Sequence, residues 1–272
     1  IENKTNVGFA EGNNQALSLS KGEYVLALNA DTTFDKNMIH DLVGFMKMHP
    51  QAGVMQPKLV FMSDPKKLDN VGAFQTWSGI PYYFGLYKDA RLPKYNQDMQ
   101  VYSVKGACMM TRRSVIDNVG FLDGKMFAYF EETDFCHRAW LAGFQCWYTS
   151  SVSVNHFVGA TIGHRDSANF IYYSFRNRIK SYLKNFGIDT LLFLVPSHLT
   201  ALMGMVFISP HARSIFRAIW YNIINFPDIL HERQIVQRLR QVDDSVLRRT
   251  WFKNPRLDYY YYLVVDISKY QD

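Results

Sequence analysis

Short apolar runs alternate with helical spacings along the first 160 residues. Residues 24–28 are an apolar, β-rich run that ends at Asn29, and residues 54–61 have the same character. Between them, residues 36–49 carry apolar side chains at helical spacing as far as Pro50. This alternation predicts the α/β class, with residues 24–28 as a buried parallel strand.

Further elements follow the same alternation. The pattern predicts helices at 13–20, 114–119 and 131–142, and strands at 101–111, 145–149 and 152–154. Residues 62–100 show no clear period, which is typical of a functional or mobile excursion. We expect residues 1–165 to form one principal domain.

The C-terminal third has a different pattern. Residues 190–212 contain no Asp, Glu, Lys or Arg, which approaches the roughly 20 apolar residues that cross a bilayer. Pro196 and Pro210 interrupt the run. The sequence leaves open a membrane span and a buried or re-entrant helix pair.

The segment after this run is amphipathic. Its apolar positions fall on one helical face, with Arg213 and Arg217 toward another: Ile215, Phe216, Ile219, Trp220, Ile223 and Ile224. This pattern favours a helix in a membrane interface, and the alternative is a helix packed on the main domain. We predict a helical, basic, membrane-associating region at residues 166–272.

The charge distribution and the cysteine content indicate the kind of binding partner and the cellular compartment. Of the net charge of +6, residues 164–256 hold a surplus of eight positive charges, so the rest is near neutral. The basic region has no recognised nucleic-acid reader motif and adjoins an apolar run, so we expect a membrane surface and no nucleic acid. Three cysteines without a CxxC pair indicate a reducing compartment, and we expect the cytoplasmic face of the membrane.

Asp31 is the first candidate for chemistry. It follows the strand predicted at 24–28, and ligands bind at the carboxyl ends of strands in open α/β sheets. A carboxylate there can hold Mg²⁺ or Mn²⁺ against a diphosphate. The alternative is a turn or a helix cap.

A second acidic stretch opens the helix predicted at 131–142. Glu131, Asp134 and Arg138 share one helix face, and Glu132 points elsewhere. Clustered carboxylates raise one another's proton affinity, as a base for a sugar hydroxyl requires. The alternative is a solvated acidic first turn, against which the flanking aromatic residues argue.

His156 is a candidate third ligand for the metal because a neutral imidazole can coordinate it. A structural histidine is the alternative.

Five stretches together resemble glycosyltransferase family 2, most closely its rhamnosyltransferase-like branch. In order, they are residues 6–14 (NVGFAEGNN), 22–32 (GEYVLALNADT), 106–110 (GACMM), 130–138 (FEETDFCHR) and His156 with Gly159. Residues 172–180, which contain Arg176-Asn177-Arg178, resemble the downstream segment of that branch. The first strand of this family normally precedes residue 6. Since the chain opens at Ile1 without an initiator Met, we expect an N-terminally truncated sequence that binds nucleotide poorly.

The resemblance implies a GT-A fold, which is a Rossmann-like mixed sheet flanked by helices. It also implies a nucleotide-sugar donor such as a dTDP- or UDP-sugar, a divalent cation (Mg²⁺ or Mn²⁺) and inversion at the anomeric carbon. The expected acceptor is a lipid-linked sugar or a polysaccharide of the cell surface.

The resemblance also assigns roles to residues. Asp31 and His156 match the metal-binding positions, and Glu132 stands where the family usually has its Asp base, with Asp134 and Glu131 as the accompanying acids. The remaining assignments are to the donor diphosphate, namely Asn6, Gly8, Asn13, Asn14, Asn29 and Asp31, and to the acceptor, namely Gly106, Ala107 and Arg138.

Two rival functions stay open at this point. A nucleotidyltransferase would also use a metal at a strand end, but it needs a basic, Gly-rich phosphate loop that is not visible in this sequence. A non-catalytic membrane-surface scaffold would use the basic region at 213–249 and needs no acidic motif.

Overall fold

The computed structural model describes residues 1–158 and 167–270 and has a mixed sheet flanked by helices. The strands are β1 (Tyr24–Leu28), β2 (Thr32–Phe34), β3 (Ala52–Phe61), β4 (Asp64–Asn70), β5 (Ala73–Phe74), β6 (Tyr82–Tyr83), β7 (Met99–Gln100), β8 (Cys108–Arg112) and β9 (Gln145–His156). The helices are α1 (Gly8–Leu19), α2 (Met38–Met48), α3 (Arg113–Val119), α4 (Glu131–Leu141), α5 (Ala168–Asn185), α6 (Ile188–Ile208), α7 (Ala212–Ile224), α8 (Phe226–Arg238), α9 (Asp244–Trp251) and α10 (Asp258–Val265).

The main sheet has the order β1-β8-β3-β9-β2, with β4 beside β3 and β7 beside β9. Strands β3 and β9 pair in parallel, and the other pairs of this sheet are antiparallel. The predicted mixed α/β class is therefore confirmed.

Strand β1 is not the buried parallel strand that its apolar run predicts. Within the described ranges its hydrogen-bonded neighbour is β8, which is antiparallel, and four of its five residues are only half-buried. Because β8 is antiparallel to both β1 and β3, β1 still runs in the same direction as β3 and β9. Leu28, Phe61 and His156 consequently end at one edge of the sheet.

The core lies on both faces of the sheet because side chains alternate along a strand. Val54 and Met109 pack with the residues of α3 and α4 on one face. Their neighbours in sequence, Met55 and Met110, pack with α2 on the other face. The central strands β3 and β8 therefore carry apolar side chains on both faces along these stretches.

Several boundaries differ from those predicted. Helix α1 begins at Gly8 rather than at residue 13, and β8 covers only the end of the strand predicted at 101–111. The two pieces predicted at 145–149 and 152–154 are a single strand, β9, because it pairs with β3 across a register shift between Pro57 and Lys58.

Helix α5 joins the C-terminal helices to α4. Its buried residues include four cationic side chains, namely Arg176, Arg178, Lys180 and Lys184. Phe175 and Ile179 pack with Leu202 of α6 and with Ile215 and Ala218 of α7. The domain boundary predicted at 165/166 lies outside the described residues.

One helix in the described part of the chain is long and apolar enough to cross a membrane. The segment is Ile188–Phe207, with a mean hydropathy of 1.7 in its 18-residue window, of which 22% is buried. Its exposed side chains include Leu192, Phe193 and Phe207. The helix qualifies as a candidate membrane span by its length and composition alone.

Helix α7 does not present one uniform apolar face. Ile215 is fully buried, whereas Phe216, Trp220, Ile223 and Ile224 are exposed. The helix therefore packs on α5 and still carries an apolar surface. The single apolar face predicted for these residues is wrong, because Ile215 lies on a buried face and Phe216 and Trp220 lie on an exposed one.

Candidate active site

The structure brings Asp31 and His156 together at the sheet edge. Asp31 lies directly before β2, and His156 is the last residue of β9 and the register partner of Thr32. The Nε2 atom of His156 lies 3.4 Å from Oδ1 of Asp31. That Oδ1 atom is buried and accepts no hydrogen bond from the protein.

A buried carboxylate orients the other side of the imidazole. Nδ1 of His156 lies 2.8 Å from Oδ2 of Asp69, the penultimate residue of β4. Burial by itself would raise the pKa of Asp69, but Lys105 and His156 outweigh it and hold the pKa well below its usual range. An ionised carboxylate only accepts hydrogen bonds, so Nδ1 carries the hydrogen.

Lys105 completes this row of residues. Its Nζ atom lies 2.6 Å from Oδ1 and 2.5 Å from Oδ2 of Asp69. Since Asp69 is fully buried, the ion pair and the histidine together compensate the burial of its charge. Asp69 and Lys105 were not predicted from the sequence, because neither belongs to a recognised motif.

The pair of Asp31 and His156 fits a divalent cation. With its hydrogen on Nδ1, His156 presents the lone pair of Nε2 toward a carboxylate oxygen that has no hydrogen-bond partner, and a cation between these two atoms would satisfy both. Their separation is close to the roughly 3 Å between neighbouring ligands of Mg²⁺. A carboxylate on the second nitrogen is the usual support of a metal-binding histidine.

The protein supplies few ligands for such a cation. No group of three or more His, Cys, Asp or Glu that could hold a metal occurs among residues 1–158 and 167–270. Two protein donors leave most positions of a Mg²⁺ or Mn²⁺ ion for water and for phosphate oxygens of a substrate.

Glu132 lies next to the small residues that were assigned to the acceptor. A Cβ atom on Gly106 would stand 3.8 Å from Cβ of Glu132 and 3.3 Å from the ring of Phe9. The carbonyl of Ala107 accepts a hydrogen bond from the backbone N–H of Asn29. The segment 105–107 therefore lies between the start of α4 and the strand end that leads to Asp31.

The two adjacent glutamates have raised proton affinity. Burial raises the pKa of Glu131 well above its ordinary value, and the neighbouring charge of Glu132 adds to the effect. Burial also raises the pKa of Glu132, although backbone hydrogen bonds and Lys105 oppose the shift. Each side chain has an Oε2 atom that is buried without a hydrogen-bond partner. Both carboxylates can therefore take up a proton.

Asp134 has a different environment. Its Oδ2 atom contacts Nε of Arg138 at 3.0 Å and Nζ of Lys184 at 3.1 Å, and its Oδ1 atom accepts from Asn185 at 2.8 Å. Burial is outweighed by Lys184 and Arg138, which hold the pKa of Asp134 well below its usual range. A carboxylate with this low proton affinity is suited to fixing α4 on α5 rather than to accepting a proton.

Arg138 is engaged within the fold. The side chain is buried, and besides Asp134 it donates to the carbonyls of Val119, Gly120 and Phe121. These contacts give Arg138 a structural role, and its assignment to the acceptor stays a prediction.

The N-terminal residues assigned to the donor chiefly dock α1. Gly8 has a φ of 84°, and a Cβ atom there would stand 2.5 Å from the ring of Phe127. Asn6 accepts a hydrogen bond from the N–H of Gly8, Asn13 donates to the carbonyl of Phe9, and Asn14 donates to the carbonyl of Leu122. Their role in binding the donor stays a prediction.

The segment before α4 is held in a strained conformation. Phe127, Tyr129 and Phe130 all have φ between 66° and 73°, which is uncommon for residues other than glycine. The amide nitrogen of Asn177 donates to the carbonyls of Met126, Ala128 and Tyr129 at 2.7 to 2.9 Å. Asn177 is fully buried, so it fixes the backbone from which Glu131 and Glu132 project.

Comparison with known proteins identifies the class. Residues 24–231 match the family model described as "Glycosyl transferase family group 2". The crystal structure of GalNAc-T7 with UDP, GalNAc and Mn²⁺ superimposes on 70% of this chain and 37% of its own, with a TM-score of 0.53 at 11% identity. The mixed sheet with its flanking helices is thus the GT-A fold of glycosyltransferases.

The chain belongs to glycosyl transferase family group 2. It is 27% identical over 186 residues to the low-salt glycan biosynthesis hexosyltransferase Agl10 of Haloferax volcanii, which covers 65% of this chain and 58% of the relative. It is also 27% identical over 188 residues to the rhamnosyltransferase WbbL of Escherichia coli K12, which covers 64% of this chain and 68% of the relative. The predicted family is therefore confirmed. His156 of the fifth motif is described, whereas its Gly159 lies outside the described residues.

Proposed function

We propose that this protein is an inverting, metal-dependent hexosyltransferase. It transfers a sugar, rhamnose or another hexose, from a nucleotide diphosphate to a hydroxyl of a lipid-linked or polysaccharide acceptor. The observation that carries the proposal is the row Asp31, His156, Asp69 and Lys105 at the sheet edge. Family membership and the two hexosyltransferase relatives support sugar transfer over nucleotidyl transfer or a scaffold.

Asp31 and His156 would hold the Mg²⁺ or Mn²⁺ ion, which when bound neutralises charge on the departing nucleoside diphosphate. Asp69 keeps the hydrogen of the imidazole on Nδ1, so that Nε2 keeps its lone pair for the ion. Lys105 keeps Asp69 ionised. The distal carboxylate and lysine thus act through the histidine and not on the sugar.

Glu132 is the proposed general base. It would remove the proton of the acceptor hydroxyl as that oxygen attacks the anomeric carbon from the face opposite the leaving diphosphate, which inverts the configuration. Gly106 lacks a side chain beside Glu132 and leaves the acceptor room to approach the backbone. The raised pKa of Glu132 lets it accept this proton.

The place of action that we propose is the cytoplasmic face of the membrane. Helix α6 is apolar enough to span or enter a bilayer, and α7 beside it exposes Phe216 and Trp220 together with Arg213 and Arg217. An exposed apolar and basic surface fits a membrane with anionic lipids. It would bring the catalytic domain to a lipid-linked acceptor.

The deciding experiment measures sugar-nucleotide turnover with Mn²⁺, Mg²⁺ or EDTA, screening dTDP-rhamnose and UDP-sugars. We expect turnover that requires the metal and falls about 100-fold or more in Glu132→Gln, as for loss of a general base. Asp31→Ala should lose turnover at every concentration of Mn²⁺ or Mg²⁺. Lys66→Gln, a change at an exposed site on β4, is the control.

Turnover that continues in EDTA would show that the reaction does not require a divalent metal. Absence of turnover with every donor, in a folded protein that binds vesicles, would favour the scaffold.

A further inference from the structure

Helix α6 presents one stripe of side chains to the rest of the protein. The stripe recurs every four residues, at Thr190, Leu194, His198 and Leu202, and each of these residues is at most 1% exposed. Residues four apart are neighbours on one face of a helix, so α6 lies lengthwise against the protein. On its outer side the helix exposes large apolar side chains, namely Ile188, Leu192, Phe193, Met203 and Phe207.

The two polar members of the stripe have partners in the protein. Thr190 donates to Oδ2 of Asp244 at 2.5 Å, and the same oxygen accepts from the backbone N–H of Gly187 at 2.6 Å. Nδ1 of His198 lies 3.1 Å from the carbonyl oxygen of Ser78. The helix is therefore held at two points that lie about 12 Å apart along its axis.

The two apolar members of the stripe pack in separate buried clusters. Leu194 packs with Phe130, which directly precedes α4, and with Tyr182 and Phe186 at the end of α5. Leu202 packs with residues of α5 and α7. Contacts with the protein thus continue from the first turn of α6 into its last third.

This packing does not allow α6 to cross a bilayer. Its 21 residues are about 30 Å long, which is the thickness of the hydrocarbon core, so a spanning α6 would carry the elements packed on it into that core. At the middle of the helix, His198 contacts the irregular segment 76–81. Near its start, Thr190 contacts the charged side chains of Asp244 and Arg248. Irregular backbone and charged side chains are costly in hydrocarbon, so a span would require α6 to leave this position.

The outer face of α6 suits the surface of a membrane instead. Residues 190–212 contain no Asp, Glu, Lys or Arg, and α7 continues the surface with the exposed side chains of Arg213 and Arg217. Pro196 lies on the outer face and lacks the N–H that would bond the carbonyl of Leu192, and water at an interface can replace this donor. An apolar face bordered by basic residues fits a bilayer that contains anionic lipids.

We propose that α6 lies in the plane of the membrane and does not span it. Its outer face enters the boundary between the headgroups and the acyl chains of a bilayer with anionic lipids, and its stripe stays on the protein. Both ends of α6 are then on the same side of the membrane. The inference rests on the membrane association in the proposed function, but it does not depend on sugar transfer.

The first test asks from which side the two ends of α6 can be reached. Single cysteines replace exposed residues at these ends, in Ile188→Cys and Pro210→Cys, whereas the native cysteines are buried. A charged, membrane-impermeant maleimide is added to sealed inside-out vesicles from cells that express the full chain, and both ends should react fully before detergent is added. Lys66→Cys, at an exposed site on β4, reports the side of the main sheet, and Leu194→Cys on the stripe should stay unlabelled in the folded protein.

The second test measures the depth of the helix in the membrane. An environment-sensitive dye is attached to Ile188→Cys, Ser197→Cys and Phe207→Cys, three positions on the outer face, and is quenched by lipids brominated at different carbons of the acyl chain. In an in-plane helix the three dyes lie at one shallow depth, whereas in a span the dye at Ser197 lies near the bilayer centre. A deeper dye at Ser197, or an end of α6 that reacts only after detergent, would overturn the proposal.

Two further outcomes separate this placement from the proposed function. Failure of the full chain to float with vesicles that contain phosphatidylglycerol would overturn the placement and the proposed membrane association together. Equal, shallow depths in a protein without sugar-nucleotide turnover would support the placement and contradict the proposed transferase.

Discussion

At the scale of single residues, Asp69 explains how His156 can serve a metal. The carboxylate is fully buried, ionised by its contact with Lys105, and placed on Nδ1 of the imidazole. Removing its charge changes the orientation and basicity of the ring without touching the donor atom itself.

We expect Asp69→Asn to weaken metal binding about 10- to 100-fold, the usual effect of losing such a support. The concentration of Mn²⁺ that gives half-maximal turnover measures it, and the loss of kcat should be recovered at high Mn²⁺. Asp64→Asn, a half-buried position at the other end of β4, is the control. An unchanged Mn²⁺ requirement in Asp69→Asn would contradict the role of His156 as a metal ligand.

Glu131 carries a cost to stability that depends on pH. Burial and Glu132 raise its pKa in the folded protein above the unfolded value, so the folded state favours the neutral carboxyl. For an acid with a raised folded pKa, the unfolded state releases the proton first as pH rises, and stability then falls. The cost is absent below the unfolded pKa and develops as pH rises from there toward the folded pKa.

Glu131→Gln should therefore raise the free energy of unfolding at pH 7, because the neutral amide removes the charge that the parent buries there. The gain should shrink as pH falls toward 4, where the parent carboxyl is neutral. Urea titrations at pH 7 and pH 4 measure both values. A loss of stability at pH 7 would show that the charged form of Glu131 has a partner in the folded protein.

At the scale of elements, the start of α4 is held from α5. Three residues with positive φ precede the two glutamates, and Asn177 donates to three carbonyls of that segment. The position of the proposed base thus depends on a helix that follows it by more than thirty residues.

Asn177→Ala should lower the free energy of unfolding by about 1 to 3 kcal/mol, since buried carbonyls lose their donor. It should also reduce kcat more than donor KM, because the base moves while the metal pair does not. Steady-state kinetics and urea unfolding measure the two effects. The matched change is Asn155→Ala, whose exposed amide makes a single bond to Thr33 at 3.2 Å; an equal effect of both changes would contradict the role of Asn177.

At the scale of the whole molecule, catalysis and membrane contact occupy different parts of the fold. The site lies at one edge of the sheet, whereas α6 and α7 expose Leu192, Phe193, Phe216 and Trp220. Helix α5 packs against α4, α6 and α7 and so joins the two parts.

Reversing two charges on α7, Arg213→Glu with Arg217→Glu, should weaken binding to vesicles that contain phosphatidylglycerol about tenfold or more, since each basic residue near an anionic surface contributes about 1 kcal/mol. Trp220→Ser should weaken binding to neutral vesicles as well. Flotation or sedimentation at two salt concentrations measures both. The double change Lys66→Glu with Lys67→Glu, at exposed sites on β4, alters the charge equally and should have little effect; unchanged binding in the α7 variant would contradict the predicted surface.

The sequence alone determined the class of the fold, the family, and the nearness of Asp31 to the end of a strand. These follow from periodicity and from the order of short motifs, which are local properties. It also drew attention to His156, although nothing local links the histidine to Asp31.

Only the tertiary structure decided which groups meet. Asp69 and His156 are 87 positions apart, and the candidate site residues Arg138 and Asp134 form a buried ion pair that α5 covers. Strand β1 likewise acquired an antiparallel neighbour that its apolar pattern could not specify. The physical reason is the same in each case: hydrophobic spacing fixes which face of an element is buried, but the partner on that face comes from a distant part of the chain.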